Sequence, residues 1–320
     1  MSKKEFKTYR KLISILRVRG MSIKKGSEGS RIIRILQNEN YYNIINGYKK
    51  LFIKISSTST TDEVYKDGTT FDEVYFLYLF DRELRNIHLK YLLKLENNFK
   101  SIVSHSFSKK YGHDNYLKLE NFNNSSSKDA ANIIRLISDI QQEIARQLSK
   151  NNEMISHYIA EHGYIPLWVL INVLTFGKIT NFYFNMKESD KIVIAKEFGV
   201  QYRELHKYMT MLGFARNKCA HGERFYDISF SQRIHSKSIK NFSILGLPRD
   251  KSGSYIKGTC DAYSIAIIFK QLLSKQDFRE FYFSIETAIK KLTKHIHTIN
   301  VDEILYVMGY TNNWKNILKL

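Results

Sequence analysis

Apolar residues recur at intervals of three and four along almost the whole chain, and this spacing constrains the fold more than any other feature. The longest apolar stripe begins at Phe71 and continues to Ile102. Convincing runs of alternating apolar and polar residues are missing, and Asp67-Gly68 lacks the strand-like neighbours that a hairpin turn needs. We therefore predict an all-α fold, a helical bundle with a basic N-terminal helical region and a C-terminal helical extension.

The helix that starts at Phe71 has a clear start signal. Thr70 and Glu73 form a capping box, in which each side chain accepts a hydrogen bond from the other residue's backbone N–H. Pro166 suits the first turn of another, very apolar helix over 167–186, with a break expected at Phe176-Gly177. Further helices are predicted over 6–19, 27–36, 41–53, 128–149, 189–198 and 201–220, with three more over 259–320.

The 320 residues divide into four consecutive segments of one interleaved helical domain. The predicted segments are a basic N-terminal helical region over 1–66 packed on the core, a helical core over 67–230, a basic loop over 231–258, and C-terminal helices over 259–320. Polar loops are expected at 56–68 and 121–127, and 231–258 is the least regular part of the chain.

The net charge of +19 is concentrated in two segments. Residues 1–54 hold 14 Lys or Arg and 3 Glu, and residues 231–258 hold six basic residues and one Asp. Concentrated positive charge with interleaved Tyr and Phe favours a nucleic acid over a membrane surface, because each neutralised phosphate releases counterions. The residues expected to contact RNA are Lys3, Lys4, Lys7, Arg10, Lys11, Arg17, Arg19, Lys24, Lys25, Arg31, Arg34, Arg233, Lys237, Lys240, Arg249 and Lys251.

Composition and motif searches exclude several other classes. Only two cysteines occur, no apolar run approaches membrane-spanning length, and the N-terminus resembles no secretory signal, so we expect a cytoplasmic protein. Zinc, nucleotide-loop and dinucleotide-binding motifs are missing, and no cofactor or metal is predicted. We interpret the pairs His157/His162 and His295/His297 as surface or packing histidines.

The polar stretch from Leu212 to Phe225 is the candidate active site. It contains Arg216, Asn217 and His221, with Gly222 as a helix stop. In a continuous helix Arg216 and His221 lie about 140° apart, so they do not form a tight pair on one face. The motif makes sense if the helix frays at Gly222, or if two copies meet across a symmetric dimer. The alternative is that these side chains only cap the helix and pair with Glu223.

These residue types suit the cleavage of RNA without a metal ion. Histidine titrates near neutral pH, so one imidazole can take the proton from a ribose 2′-OH while another protonates the leaving 5′-oxygen. An arginine offers a planar fork of donors to the phosphate as negative charge accumulates.

Arg216-Asn217-x-x-x-His221 resembles the signature of HEPN ribonucleases, and wider segments resemble the abortive-infection (Abi, AbiD/AbiF-like) branch of that superfamily. The matching stretches, spread over residues 14–226, are 16–21, 40–48, 79–85 with Glu96, 166–169, 175–177 and 216–221. The relatives often have a second histidine where this chain has Gly222.

The resemblance implies a HEPN-like helical bundle, a dimeric composite site and an endoribonuclease that serves as a bacterial anti-phage or toxin component. It also implies control by a bound structured RNA that acts as an antitoxin. Arg216 and His221 would be the catalytic pair and Asn217 a supporting residue. Arg82, Glu83, Arg85 and Glu96 match a charged motif of the family, although a buried ion network explains them equally well. The competing hypothesis is a non-catalytic protein that binds a structured RNA.

Overall fold

The computed structural model describes residues 5–56 and 62–320, which are mostly helical. The helices are α1 (Tyr9–Val18), α2 (Ser27–Asn38), α3 (Phe71–Tyr111), α4 (Ser127–Ser149), α5 (Glu153–His162), α6 (Leu167–Leu170), α7 (Phe176–Asn185), α8 (Glu188–Glu197), α9 (Tyr202–Ala220), α10 (Ala262–Leu272), α11 (Lys275–Thr293) and α12 (Val301–Val307). Short 3-10 or π turns cover Tyr42–Asn46, Lys49–Phe52, Asn115–Leu117, Leu119–Asn121, Ser236–Ser238, Phe242–Leu245 and Trp314–Lys319. The predicted all-α fold class is confirmed.

Helix α3 is the spine of the fold. The predicted capping box is present, since the Thr70 hydroxyl accepts from the Glu73 N–H at 3.2 Å and Glu73 accepts from the Thr70 N–H at 3.0 Å. At 1.5 Å per residue the helix is about 60 Å long. Helices α9 and α11 both pack along it. Most of the apolar stripe is fully buried, and Phe99 makes ring contacts with Phe176 of α7.

A small antiparallel hairpin corrects the prediction that the chain has no strands. Strand β1 (Ile53–Ile55) pairs with β2 (Val64–Tyr65), with Ile53 opposite Tyr65. The segment predicted as a helix over 41–53 is helical as far as Phe52, but it contains a π turn and a 3-10 turn in place of one regular α-helix, and Ile53 begins β1. Strands of two and three residues are too short to show an alternating pattern, so periodicity does not detect them.

The apolar segment after Pro166 also differs from the prediction. It forms the two helices α6 and α7, and the break precedes Phe176 instead of falling inside Phe176-Gly177. Thr175 explains the position, because its hydroxyl accepts from the Lys178 N–H at 3.2 Å and so caps α7.

The segment 231–258 is irregular but firmly packed. Ile234, Phe242 and Leu245 are buried, and the side-chain amide of Asn316 donates to the Ile244 carbonyl at 2.9 Å. These contacts anchor the segment to the C-terminal turn Trp314–Lys319. Its backbone is held in place while five of its six basic side chains are exposed.

No helix within 5–56 or 62–320 is long and apolar enough to cross a membrane.

Candidate active site

The polar motif lies at the C-terminal end of α9, where the backbone makes a sharp stop. His221 is the C-cap, and Gly222 follows with a φ of +69°. The Glu223 N–H donates to the Lys218 carbonyl at 3.0 Å, and the Gly222 N–H donates to the Cys219 carbonyl at 3.3 Å. This pair of bonds is a Schellman motif, which requires a residue in the left-handed region at position 222.

Arg216 is oriented by a buried carboxylate on α3. Its Nε donates to Oε2 of Glu96 at 3.1 Å, and Lys100 Nζ lies 2.9 Å from the other oxygen of Glu96. Glu96 is only 3% exposed, whereas the Arg216 side chain is 32% exposed. One carboxylate thus serves two cations, and the outer part of the Arg216 guanidinium remains accessible to an anion.

Asn217 and His221 are exposed and lie on a different side of α9 from the Arg216–Glu96 pair. Because α9 is regular up to Ala220, Arg216 and His221 diverge by about 140°. Among the described residues, no hydrogen bond joins the two side chains. Glu223 pairs with Lys218 rather than with either of them. One chain therefore presents Arg216 and His221 as separate groups.

The segment that follows the motif is fixed by Asp81 of α3, which lies in the matching stretch 79–85 but to which the resemblance assigned no role. Asp81 is fully buried and accepts from the backbone N–H groups of Phe225 at 3.1 Å and Tyr226 at 2.6 Å. It also accepts from Tyr48 Oη at 2.5 Å and from Arg85 Nη1 at 2.6 Å. The sequence carries no signal for this role, because only Arg85 is near Asp81 in the chain, whereas Tyr48, Phe225 and Tyr226 are distant.

The same cluster connects the N-terminal region to the end of α9. Tyr48 reaches Asp81, and Arg224 Nη1 donates to the Gly47 carbonyl at 2.8 Å. Cys219, near the end of α9, is buried close to Asp81. Burial and the nearby Asp81 carboxylate raise the pKa of its thiol to about 12. Cys219 therefore stays protonated and is a packing residue.

The charged residues of the long helix separate into buried and exposed groups. Arg85 and Glu96 belong to the buried clusters described above, whereas Arg82 is exposed and pairs with Glu39 at 2.8 Å. Glu83 is exposed as well.

His88 is fully buried, and this burial lowers its pKa to about 4, so it is a neutral core histidine.

The N-terminal basic residues fall into three groups. Lys3 and Lys4 lie outside the described residues. Three arginines are engaged within the chain: Arg17 with the carbonyls of Ile23 and Lys24, Arg19 with Asp62 and Glu63, and Arg31 with Asp72. The side chains that extend into solvent are Lys7, Arg10, Lys11, Lys24, Lys25 and Arg34.

Five of the six basic residues of the second segment are exposed: Arg233, Lys237, Lys240, Arg249 and Lys251. Two of them are oriented by Tyr255. Arg233 donates to its carbonyl, and the Arg249 guanidinium lies 4.3 Å from the centre of its ring. The stacking on Tyr255 limits the freedom of the Arg249 guanidinium, which still offers hydrogen-bond donors to a phosphate.

The two histidine pairs consist of exposed residues, apart from His295, which packs against another ring. No group of three or more His, Cys, Asp or Glu side chains within the described part of the chain is arranged to hold a metal ion. His157 and His162 lie with ring centres 6.2 Å apart, and His295 stacks on Phe76.

Comparison with known proteins gives one family match. A family model described as Abi-like protein matches residues 34–227, which include α3, α9 and the whole Arg216–His221 motif. Apart from Arg34, the basic residues expected to contact RNA lie outside the matched region. No curated protein and no solved structure matches the chain significantly.

Proposed function

This chain belongs to the Abi-like protein family, and from that membership we propose that it is a HEPN-type endoribonuclease of abortive infection that cuts RNA without a metal ion. The observation that carries the proposal is the end of α9. There Arg216 is oriented by Glu96, and Asn217 and His221 are exposed on a different side of the same helix, at a fixed helix stop.

Each residue then has a chemical role. The accessible part of the Arg216 guanidinium binds the scissile phosphate and stabilises its growing negative charge. The imidazole of His221 takes the 2′-OH proton, and the attack of this oxygen on phosphorus yields a 2′,3′-cyclic phosphate and a 5′-OH. Asn217 orients the ribose or the phosphate by hydrogen bonds.

The divergence of Arg216 and His221 supports a dimeric site. Cleavage needs one group to accept a proton and another to donate one, and a second copy of α9 supplies the second histidine. Two facing copies bring two arginines and two histidines to one cleft. We therefore expect the cleavage rate per chain to rise with protein concentration until all chains are dimeric. A constant rate per chain, with monomers seen by sedimentation, contradicts the dimeric site.

The exposed basic residues of the N-terminal helices and of 231–258 would hold a structured RNA that restrains the toxin. These residues also favour the second candidate function, a protein that binds such an RNA and cleaves nothing, because backbone-reading surfaces of this kind need no catalytic group.

The decisive experiment compares cleavage by the parent protein with cleavage by Arg216→Ala and His221→Ala. The RNA is incubated in EDTA, and the products are analysed for 2′,3′-cyclic phosphate ends. Arg279→Ala and His297→Ala are matched controls, since both replace exposed residues elsewhere on the surface.

We expect the parent and both controls to cleave, and both motif variants to lose cleavage. An RNA with 2′-deoxyribose at the scissile position stays intact, because the nucleophile is missing. If His221→Ala cleaves as fast as the parent, the assigned chemistry is wrong. Salt-sensitive binding of one RNA without turnover by any variant identifies the non-catalytic alternative.

A further inference from the structure

Five rings form a continuous row on the surface where α5 meets the end of α3. Ring centres are separated by 5.4 Å between Tyr158 and His162, and by 6.1 Å between His162 and Tyr164. The row continues from Tyr164 to His113 at 4.9 Å and from His113 to Trp168 at 6.2 Å. We call these five residues the aromatic row.

The aromatic row is unusually accessible. Trp168 is 50% exposed and Tyr164 is 37% exposed, whereas the other tryptophan, Trp314, is 6% exposed in the core. His113 and His162 are exposed too. Removing large aromatic rings from water is favourable, and a partner with flat apolar faces can cover a row of rings by stacking on them.

The backbone beneath the row is held in place. The Leu167 N–H donates to the His113 carbonyl at 2.9 Å, which joins the start of α6 to the end of α3. Tyr116 Oη donates to the Ile165 carbonyl at 2.8 Å. Gly163, with a φ of +73°, ends α5 and allows the chain to turn between the rings. The rings are therefore arranged in advance of binding, which lowers the entropic cost of a complex.

A groove of about 610 Å³ runs beside His113 and Trp168. Its other lining residues include His105, Lys109 and three serines of α3, and no carboxylate lines it. Ser108 Oγ is buried and has no hydrogen-bond partner among the described residues. The groove thus combines the exposed Lys109 cation and the exposed Ser101 with the edge of a stacking surface, an arrangement that suits a nucleotide phosphate and base.

The groove lies on the helix that orients Arg216. Glu96 contacts Arg216, and Ser104, which lines the groove, follows eight residues later, about 12 Å along the axis of α3. We propose that the aromatic row and its groove bind the unpaired bases of single-stranded RNA that flanks the cleavage site. This inference rests on the proposed function, and it specifies the substrate as RNA with an unpaired segment.

Trp168 provides a direct probe, because the chain has only two tryptophans. In a Trp314→Phe, His221→Ala protein Trp168 is the single tryptophan and the catalytic histidine is absent. We expect a single-stranded oligouridylate to quench its fluorescence saturably, as a base stacks on the indole. The same RNA annealed into a duplex should leave the fluorescence unchanged, because its bases are already stacked.

Binding of labelled single-stranded RNA by His221→Ala protein gives the second readout. Adding Trp168→Ala should weaken binding about 5- to 150-fold, the range expected when one base–aromatic stack is removed. Trp168→Phe should retain part of the affinity, since a smaller ring remains. Phe283→Ala is the matched control, because Phe283 is 49% exposed on α11, outside the row and its groove.

Two results overturn the proposal. The first is Trp168 fluorescence that does not respond to single-stranded RNA, or that responds equally to the duplex. The second is equal affinity of the Trp168→Ala and Phe283→Ala proteins for single-stranded RNA. Either result leaves the cleavage assay of the parent protein unaffected. Conversely, single-stranded RNA could quench Trp168 fluorescence although the parent protein never cleaves RNA. That result supports RNA binding by the aromatic row and refutes the proposed nuclease activity.

Discussion

Arg216 Nε lies 3.1 Å from a carboxylate oxygen of Glu96, although the two residues are 120 positions apart in the chain. Lys100 competes for the same carboxylate, so the pair is not electrically balanced and positive charge remains at the surface. Glu96 orients Arg216 without neutralising the site. An arginine held in this way is preorganised for a phosphate, because its side chain loses less freedom on binding.

Replacing Glu96 with Gln should slow RNA cleavage and lower the free energy of unfolding by about 1–3 kcal/mol, because two cations lose their shared carboxylate. Cleavage kinetics and urea denaturation measure the two effects. Glu83→Gln is the control, an exposed glutamate on the same helix. If Glu96 acts through Arg216, Glu96→Gln should weaken RNA binding by a His221→Ala protein, and it should cause little further loss of binding once Arg216→Ala is also present. Additive losses rule out this positioning role.

Asp81→Asn should destabilise the protein by about 3 kcal/mol, because it breaks a buried ion pair with Arg85 and disturbs the bonds to Phe225 and Tyr226. Tyr48→Phe removes one donor from the same cluster and should cost about 1 kcal/mol. Urea denaturation checks both values, with Asp227→Asn, a more accessible aspartate, as the control. Equal losses for Asp81→Asn and Asp227→Asn refute a central role for Asp81.

Gly222→Ala should lower the free energy of unfolding by about 1 kcal/mol and slow cleavage, because it strains the backbone beside His221. A Cβ at this position meets no atom within 4 Å, so the cost comes from the φ of +69° alone. Gly177→Ala is the matched control, since its Cβ is also free of contacts but its φ lies in the helical region. Gly177→Ala should be neutral or stabilising. Gly222→Asn should lose less than Gly222→Ala, because asparagine tolerates this region.

His88 should make the protein less stable in acid. Its pKa is lowered to about 4 by burial, whereas an unfolded histidine titrates near 6.5. The unfolded state therefore binds the proton first as the pH falls, and up to about 3 kcal/mol of stability is lost between pH 6.5 and pH 4. Urea midpoints at pH 7 and pH 4.5 should differ less for His88→Phe than for the parent. His297→Gln, at an exposed histidine, should leave the difference unchanged. A His88→Phe variant with the parent's pH dependence contradicts the assignment.

The exposed basic residues should determine how strongly RNA binding depends on salt. Replacing Lys24, Lys25 and Arg34 with Gln should reduce the slope of log K against log salt by up to about 0.7–0.9 for each phosphate that the variant no longer neutralises. The same experiment with Lys237, Lys240 and Lys251 tests the second segment. Arg31→Gln is the control, because Arg31 already pairs with Asp72. A slope that neither triple variant changes shows that RNA binds elsewhere.

Local interactions made several features predictable from the sequence alone. The period of the apolar residues indicated the helical class, and the capping box of Thr70 and Glu73 located the start of α3. Gly222 located the end of α9. Each of these signals involves residues no more than a few positions apart, so all the interacting residues lie within one short stretch of sequence. The hairpin of β1 and β2 was missed because its strands are too short to establish a period.

Only the tertiary structure decided what surrounds the motif. The sequence placed Arg216 and His221 on different faces of one helix, but it could not identify Glu96 as the partner of Arg216 or Asp81 as the anchor of Phe225 and Tyr226. Nor could it separate Arg19 and Arg31, which are engaged in ion pairs, from the basic residues that reach solvent. These contacts join residues more than forty positions apart. They depend on how elements that are distant in the sequence pack together, which no local pattern encodes.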